Sequence, residues 1–202
     1  MFIKIEIYKN IILSCLVKLI VLLFILCFFN QSYAEPLSLR VDKYYSNNNF
    51  KEGVKQTLSS SAPYIKEIEL ILKKESMPMA YAYLPVIESE FKVDAKSRTG
   101  ALGLWQLKTK TAIYLKLCKS APCNERKDIA KSSEAAIKYL SRLYSRFKDP
   151  YLALAAYNGG PTYVSREILR QGTNDINKLV LREETENYVA KFIAVLKIIE
   201  KN

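Results

Sequence analysis

Apolar residues recur at helical spacing in the first half of the chain. One stripe begins after Pro63, a residue that suits a first helical position, and it places four side chains on one helix face: Tyr64, Ile68, Ile71 and Leu72. Pro78 ends this predicted helix. Residues 79–89 then form a second, mostly apolar segment, in which Pro85 bends the chain or lies near the start of a helix.

The second half of the chain predicts further helices. Ser132 can cap one of them, and the buried face of that helix is predicted to hold Ala136, Tyr139, Leu140, Leu143 and Phe147. Pro150 opens a short apolar helix, another helix covers residues 162–170, and the last begins near Glu183. Residues 94–104 contain two glycines among polar residues and predict a loop or small hairpin. The predicted fold class is therefore all-α with at most a small β-hairpin, in one domain without internal repeats.

The first 34 residues predict an export signal. Three lysines (Lys4, Lys9 and Lys18) flank an uninterrupted apolar run over residues 19–29, and Ser32-Tyr33-Ala34 forms a small-x-small cleavage pattern. A membrane span needs about 20 apolar residues, so cleavage is the prediction and an uncleaved anchor is the alternative. We expect the protein in the periplasm or cell envelope. The polar residues 35–49 predict a linker or loosely held arm, and residues 50–202 predict the functional domain.

Composition narrows the chemistry. The chain has no histidine, which excludes Ser-His-Asp and Cys-His nucleophile systems and the commonest metal ligand. Acid–base chemistry must then come from carboxylates, Tyr, Lys or Cys. The net charge is +11, which favours an anionic partner such as nucleic acid, anionic lipid or the acidic peptides and muramic acids of a cell wall. Export past a membrane argues against nucleic acid.

Cys118 and Cys123 lie close together in the predicted domain. In an oxidising compartment such a pair predicts a disulfide, and two unpaired thiols are the alternative. A metal site would need further ligands, and no additional cysteine or histidine is present near them, so no metal site is predicted.

Glu88 is the first candidate for chemistry, because it follows the apolar run of residues 83–87. A desolvated carboxyl has a raised pKa, and it can keep its proton near neutral pH and donate it to a glycosidic oxygen. The alternative is a glutamate paired with one of the many lysines or arginines. Glu90 is the rival carboxylate, and on a helix it would point away from Glu88.

Four motifs occur in order at compatible spacing: Glu88-Ser89 with Phe91, Ala95 and Ser97; Gly100-Ala101-x-Gly103-Leu104-Trp105-Gln106; Ala156-Tyr157-Asn158; and Tyr188-Val189. Together they resemble the catalytic domain of the soluble lytic transglycosylases, a group related to goose-type lysozyme. The likeness is strongest to the membrane-bound lytic murein transglycosylase D branch and runs from about residue 50 to residue 199.

The resemblance implies a lysozyme-like helical domain with a substrate groove. It also implies cleavage of the peptidoglycan bond between N-acetylmuramic acid and N-acetylglucosamine, leaving a 1,6-anhydro end, with Glu88 as the single catalytic acid and base. The residues implied to bind substrate or to orient this carboxyl are Ser97, Gln106, Tyr157, Asn158 and Tyr188. No metal or organic cofactor is needed. Trp105 is expected in the core rather than as a sugar platform, because a lone Trp usually buries its large area.

Two other functions remain open. A hydrolytic muramidase on the same fold would need a second carboxylate to activate water, and Glu90 and Asp94 are the only acids close in sequence to Glu88. A non-catalytic wall-binding protein is the other alternative. The expected partners are peptidoglycan strands and, further, a cell-envelope secretion or conjugation machine. A membrane is a partner only if the N-terminal segment is retained.

Overall fold

Eight α-helices and two 3₁₀ helices form the part of the chain that this computed structural model describes, residues 35–201. The predicted signal peptide or anchor at residues 1–34 lies outside the described residues. The α-helices are α1 (Leu37–Ser46), α2 (Asn48–Lys74), α3 (Leu84–Ser89), α4 (Thr109–Tyr114), α5 (Ile129–Phe147), α6 (Pro150–Gly159), α7 (Pro161–Gln171) and α8 (Glu183–Glu200). The 3₁₀ helices span Met79–Tyr83 and Asn124–Lys127. No strand occurs within residues 35–201, so the predicted all-α class is confirmed.

Helix α2 is longer than the sequence pattern predicted. Asn47 caps it by accepting a hydrogen bond from the Phe50 N–H at 3.0 Å. Pro63 was predicted to begin a helix but lies inside α2, so that boundary was wrong. A proline inside a helix costs about 3 kcal/mol. The helix continues because Ile68 and Leu72, both fully buried, pack into the core, and such tertiary packing supplies most helical stability.

The segment predicted to be a linker at residues 35–49 instead contains α1, packed against α8. Val41 is 3% exposed and lies against Ala190 and Ala194. Arg40 donates from Nη1 to Asn187 Oδ1 at 3.0 Å, and its Nη2 lies 3.0 Å from Glu186 Oε2. The linker prediction was therefore wrong, because the residues that hold α1 in place come from the far end of the chain.

The core is built around α6, whose residues 152–156 have no accessible surface. Asp149 caps this helix by accepting from the Tyr151 and Leu152 N–H groups at 2.8 and 2.7 Å. Trp105 is fully buried, and its indole N–H donates to Ser133 Oγ at 2.9 Å. The expectation that Trp105 belongs to the core is confirmed.

Helix α5 begins earlier than predicted. Its cap is Asp128, which accepts from the Lys131 N–H at 2.9 Å, whereas the predicted cap, Ser132, is fully buried inside the helix. Asp competes well with Ser at this position because its ionised oxygens also stabilise the positive end of the helix dipole. Within residues 35–201, no helix is both long and apolar enough to cross a membrane.

The segment between α3 and α4 forms a tight loop, which we call the glycine loop (residues 94–108). Two isolated bridges, Lys96 with Leu102 and Leu102 with Leu107, are its only β-type pairing. Gly103 has φ +83°, and a Cβ added there would lie 1.9 Å from the carbonyl oxygen of Arg126. The glycine is therefore required both by its backbone conformation and by the close approach of a second chain segment.

Two glycines of this loop offer a matched test of that close approach. Gly100 also has φ +83°, but an added Cβ meets no atom within 4 Å. Gly100→Ala should cost about 1 kcal/mol in the free energy of unfolding through backbone strain alone. Gly103→Ala should lower the free energy of unfolding by several kcal/mol more, because the backbone of Arg126 must also move to make room for the added Cβ. Urea denaturation of both variants measures the difference, and equal losses would contradict the contact.

Candidate active site

Glu88 lies in α3 between two cavities and lines both of them. The smaller cavity, about 440 Å³, is bordered by the glycine loop and the end of α6. The larger cavity, about 890 Å³, is bordered by α1, α2 and α8. The preceding residues Leu84, Pro85 and Val86 are buried, and Ser89 Oγ donates to the Leu104 carbonyl at 2.9 Å. Helix α3 is thus fixed to the core and to the glycine loop on either side of Glu88.

The Glu88 carboxyl is held without a positive charge beside it. Tyr188 donates a hydrogen bond from its hydroxyl to Glu88 Oε1, and within the described residues Glu88 forms no ion pair. Burial raises the pKa of Glu88 from its ordinary value of 4.5 to about 7, against the opposing effect of the Tyr188 hydrogen bond. At neutral pH the carboxyl is therefore divided between its protonated and ionised forms, as a group that both donates and accepts a proton requires.

Two tyrosines enclose this carboxyl. The Tyr157 hydroxyl donates to the Trp105 carbonyl at 2.9 Å, and its ring lies tilted against that of Tyr139 at 5.8 Å. Burial, and then the nearby charge of Glu88, raises the pKa of Tyr157 and of Tyr188 well above the ordinary value of 10. Both phenols therefore stay neutral and act as hydrogen-bond donors rather than as bases.

Asn158 is oriented by a residue that sequence reasoning did not single out. Its Oδ1 accepts from Thr185 Oγ1 at 3.0 Å, and no described residue accepts a hydrogen bond from its amide nitrogen. The Asn158 amide can thus donate to a ligand in the smaller cavity. Thr185 and Tyr188 lie three residues apart on α8, so they share a helix face. The threonine could have been proposed from that spacing alone.

Ser97 and Gln106 line the same smaller cavity from the glycine loop. Ser97 Oγ accepts from the Ala101 N–H at 3.0 Å. Gln106 Nε2 donates to the carbonyl oxygens of Ala95 at 3.0 Å and Gly103 at 2.9 Å. Because its donors are used within the loop, Gln106 offers a ligand mainly its Oε1. The structure thus places Glu88 and four of the other proposed residues in the wall of one cavity, and it places the fifth, Tyr188, in contact with Glu88.

The other carboxylates lie in different surroundings. Glu90 follows α3 in a left-handed conformation, and its exposed side chain is ion-paired with Lys92 at 2.6 Å. Glu184 lines the smaller cavity, is exposed, and was not proposed from the sequence. Burial raises the pKa of Glu88 to about 7, whereas Glu90 and Glu184 are exposed to solvent.

Arg126 ties the disulfide segment to the glycine loop and was not identified from the sequence. Cys118 and Cys123 are joined in a disulfide, so their sulfurs are not thiolates that could bind a metal. The buried Arg126 guanidinium donates to the carbonyl of Cys123 at 2.8 Å and to those of Gly100 and Leu107 at 2.9 Å each. It thus holds both ends of the loop stretch that carries Gln106.

Comparison with known proteins places this chain in a family. Residues 65–180 match the family model described as the transglycosylase SLT domain. The chain belongs to this family. It is 33% identical over 165 residues to the membrane-bound lytic murein transglycosylase D of Escherichia coli, covering 79% of this chain and 36% of that protein. This SLT-family chain therefore spans about a third of the length of that curated relative.

Solved structures share the fold of this SLT-family chain. The 70 kDa soluble lytic transglycosylase of Escherichia coli superimposes with a TM-score of 0.61 at 19% identity, over 84% of this chain and 31% of that one. An inactive mutant of the lytic transglycosylase Slt of Pseudomonas aeruginosa gives a TM-score of 0.55 at 24% identity, over 71% of this chain and 24% of that one. At these identities the likeness concerns the fold alone.

Removing the Tyr188 hydroxyl should shift the titration of Glu88. The hydrogen bond lowers the pKa of Glu88, so Tyr188→Phe should raise that pKa further and move the alkaline limb of the pH–rate profile to higher pH. We expect turnover at this site to fall about tenfold, the effect of one hydrogen bond to a charged group. Tyr64→Phe removes a hydroxyl that lines neither cavity and is the control. If the alkaline limb of the pH–rate profile stays in place or moves to lower pH, the Tyr188 hydrogen bond does not lower the pKa of Glu88.

Proposed function

We propose that this SLT-family chain is a peptidoglycan lytic transglycosylase that cleaves the β-1,4 bond between N-acetylmuramic acid and N-acetylglucosamine. The observation that carries the proposal is one carboxyl, with a pKa of about 7, between two cavities and free of any ion pair within residues 35–201. The relatives are named as lytic transglycosylases, and they support the same reaction here.

Glu88 performs both proton transfers in this proposal. Protonated Glu88 donates to the glycosidic oxygen as the bond to C1 of the muramyl sugar breaks. The resulting carboxylate takes the proton from the C6 hydroxyl of the same sugar, which closes onto C1 and gives the 1,6-anhydro end. Because this attack is intramolecular, the bound geometry supplies much of the acceleration. A carboxyl with a pKa near the working pH suits both steps.

The neighbouring residues position the sugar and the carboxyl. The Asn158 amide, held by Thr185 at 3.0 Å, donates to the acetamido oxygen of the muramyl sugar, which assists as positive charge develops on C1. Tyr188 keeps the Glu88 carboxyl in one orientation, and Tyr157 forms the adjoining wall. Ser97 and Gln106 contact the sugars further along the smaller cavity.

The hydrolytic alternative requires a second carboxylate to activate water. Glu184 is the residue that favours it, since Glu184 lines the smaller cavity together with Glu88. Its exposure to solvent favours the transglycosylase mechanism instead. The sugar ends distinguish the two reactions: an anhydro end supports transglycosylation and a reducing end supports hydrolysis.

The sequence and the relatives support a proposed setting in the cell envelope. We propose that the chain acts in the periplasm or cell envelope, where its substrate lies. The relative in Escherichia coli is named as membrane-bound, and the Cys118–Cys123 disulfide suits an oxidising compartment. The signal peptide stays a prediction, as does an association with a secretion or conjugation machine.

Replacing Glu88 by Gln tests the catalytic assignment. Glu88→Gln should lower the rate of sacculus digestion at least about a thousandfold, since the amide can neither donate nor accept the proton. Glu134→Gln, which changes an exposed glutamate of α5 that lines neither cavity, should keep nearly full activity. Mass spectrometry of the released sugars gives the rate and the type of end. Full lysis by the Glu88→Gln variant would refute the mechanism.

The same variant should change the pH dependence of stability. The pKa of Glu88 is about 7 in the folded chain, and its ordinary value of 4.5 applies to the unfolded chain. Between pH 4.5 and pH 7 the unfolded chain therefore binds fewer protons than the folded chain. The free energy of unfolding therefore falls as pH rises through this window, by at most about 3 kcal/mol. The Glu88→Gln variant has no carboxyl at this position and does not lose stability in this way. The difference in the free energy of unfolding between the variant and the parent protein should therefore grow from pH 4.5 to pH 7 and then level off. Thermal unfolding of both proteins at several pH values measures it.

A further inference from the structure

Gln106 is held in a backbone conformation that a non-glycine residue seldom adopts. Its φ is +46°, in the left-handed region where the Cβ of an L-residue is crowded. Such a residue keeps this conformation only when the surrounding structure fixes it. Gln106 lines the smaller cavity, so the strained residue is one that the proposed reaction uses to contact sugar.

Arg126 fixes the loop stretch that carries Gln106. One nitrogen of its guanidinium, Nη1, donates to the carbonyls of Gly100 and Leu107 at 2.9 Å each. The Leu107 carbonyl directly follows Gln106 in the chain and also accepts from the Leu102 N–H at 3.1 Å. The two ends of the stretch are therefore joined through one side-chain atom.

Stabilisation of the fold does not account for this arginine. Arg126 is 7% exposed, and among residues 35–201 it makes no ion pair. Burial lowers the pKa of its guanidinium, because the charged form is disfavoured away from water. Replacing buried charges by apolar residues of similar volume is often neutral or stabilising. The position of the loop is therefore the better explanation for an arginine here.

The disulfide segment holds Arg126 in turn. Cys123 has no accessible surface, lies directly before the 3₁₀ helix Asn124–Lys127 and is bonded to Cys118. Its carbonyl accepts from Arg126 Nε at 2.8 Å. The same guanidinium is thus joined to the disulfide segment at one edge and to the glycine loop at the other.

We propose that Arg126 is a positioning residue for Gln106, and that its effect depends on the Cys118–Cys123 disulfide. The proposal rests on the proposed function and adds a dependence of glycan affinity on oxidation. Without the guanidinium or the disulfide, the glycine loop relaxes, and the apparent affinity falls with the fraction of molecules that stay competent. Saturating glycan shifts the population back to the competent loop, so turnover at saturation is retained.

Arg126→Met tests the positioning role, since methionine occupies similar space but donates no hydrogen bond. In the Glu88→Gln background, calorimetry with soluble glycan strands should show binding about tenfold weaker, which corresponds to 1.4 kcal/mol. With Glu88 intact, turnover at saturation and the pH–rate profile should match those of the parent protein. Arg146→Met removes an exposed guanidinium that donates to Ser165 at 2.8 Å and lines neither cavity, and it should change neither quantity.

A double-mutant cycle shows whether Arg126 acts through Gln106. Gln106→Ala removes the side chain that contacts sugar, so Arg126→Met should weaken binding little further in that background. Equal losses in both backgrounds would overturn the proposal, because the arginine would then act by another route. Reduced turnover with unchanged binding in folded Arg126→Met would also overturn it.

Reduction of the disulfide tests the redox dependence. Dithiothreitol transfers one electron and one proton to each sulfur, giving two thiols, and is itself oxidised to a cyclic disulfide. Reduction should weaken glycan binding by the parent protein, whereas Arg126→Met should be insensitive to the reagent. Cys118→Ser/Cys123→Ser should match the reduced parent, and this variant controls for reduction at Cys15 or Cys27. Unchanged affinity in both the reduced parent and the serine variant would overturn the redox dependence.

Folding and lytic function are measured separately. Thermal unfolding shows whether each variant is folded. If Arg126→Met is not, Arg126→Lys takes its place, because an ammonium group lacks the planar fork that reaches three carbonyls. Parental affinity in Arg126→Lys would then overturn the proposal. The lytic function fails if the parent protein releases no anhydro ends from sacculi, and that result leaves the binding comparison intact.

Discussion

The architecture of the site depends on one constraint: a carboxyl must stay largely desolvated without a cation to neutralise it. Burial favours the protonated form of Glu88, and the Tyr188 hydroxyl partly offsets that effect. The balance leaves the pKa of Glu88 at about 7, so near neutral pH the carboxyl can both donate and accept a proton. An arginine or lysine beside Glu88 would stabilise the fold but would hold the carboxyl ionised, so the chain accepts a stability cost at this position.

Helix α8 connects the residues around Glu88 to helix α1. Thr185 orients Asn158 and Tyr188 contacts Glu88, and between them Glu186 and Asn187 are held by Arg40 of α1. Helix α1 therefore packs behind the face that supports the site. The glycine loop is fixed on the other side, where the buried Arg126 guanidinium donates to three backbone carbonyls. Helix α8 and Arg126 come from separate parts of the chain, and both hold residues that line the smaller cavity in place.

Much of the fold was predictable because its signals are local. The stripe on α2, the proline that opens α6 and the start of α8 follow from the spacing of apolar residues and from proline chemistry. The candidate site residues were proposed because the motifs around Glu88, Gln106, Tyr157 and Tyr188 resemble a family pattern, and their roles stay a prediction. The errors came where distant partners decide the outcome, as with Pro63 inside α2 and with α1 in place of a linker.

The sequence by itself determined the helical class and the absence of histidine chemistry, and it proposed Glu88 as the candidate carboxyl because an apolar run precedes it. Only the tertiary structure decided how that carboxyl is held, that Thr185 and Arg126 support the site, and that α1 and α2 form a second cavity beside it. The physical reason is that apolar periodicity depends only on residues that are close together in the sequence. Desolvation and hydrogen-bond partners depend instead on groups brought together from separate parts of the chain.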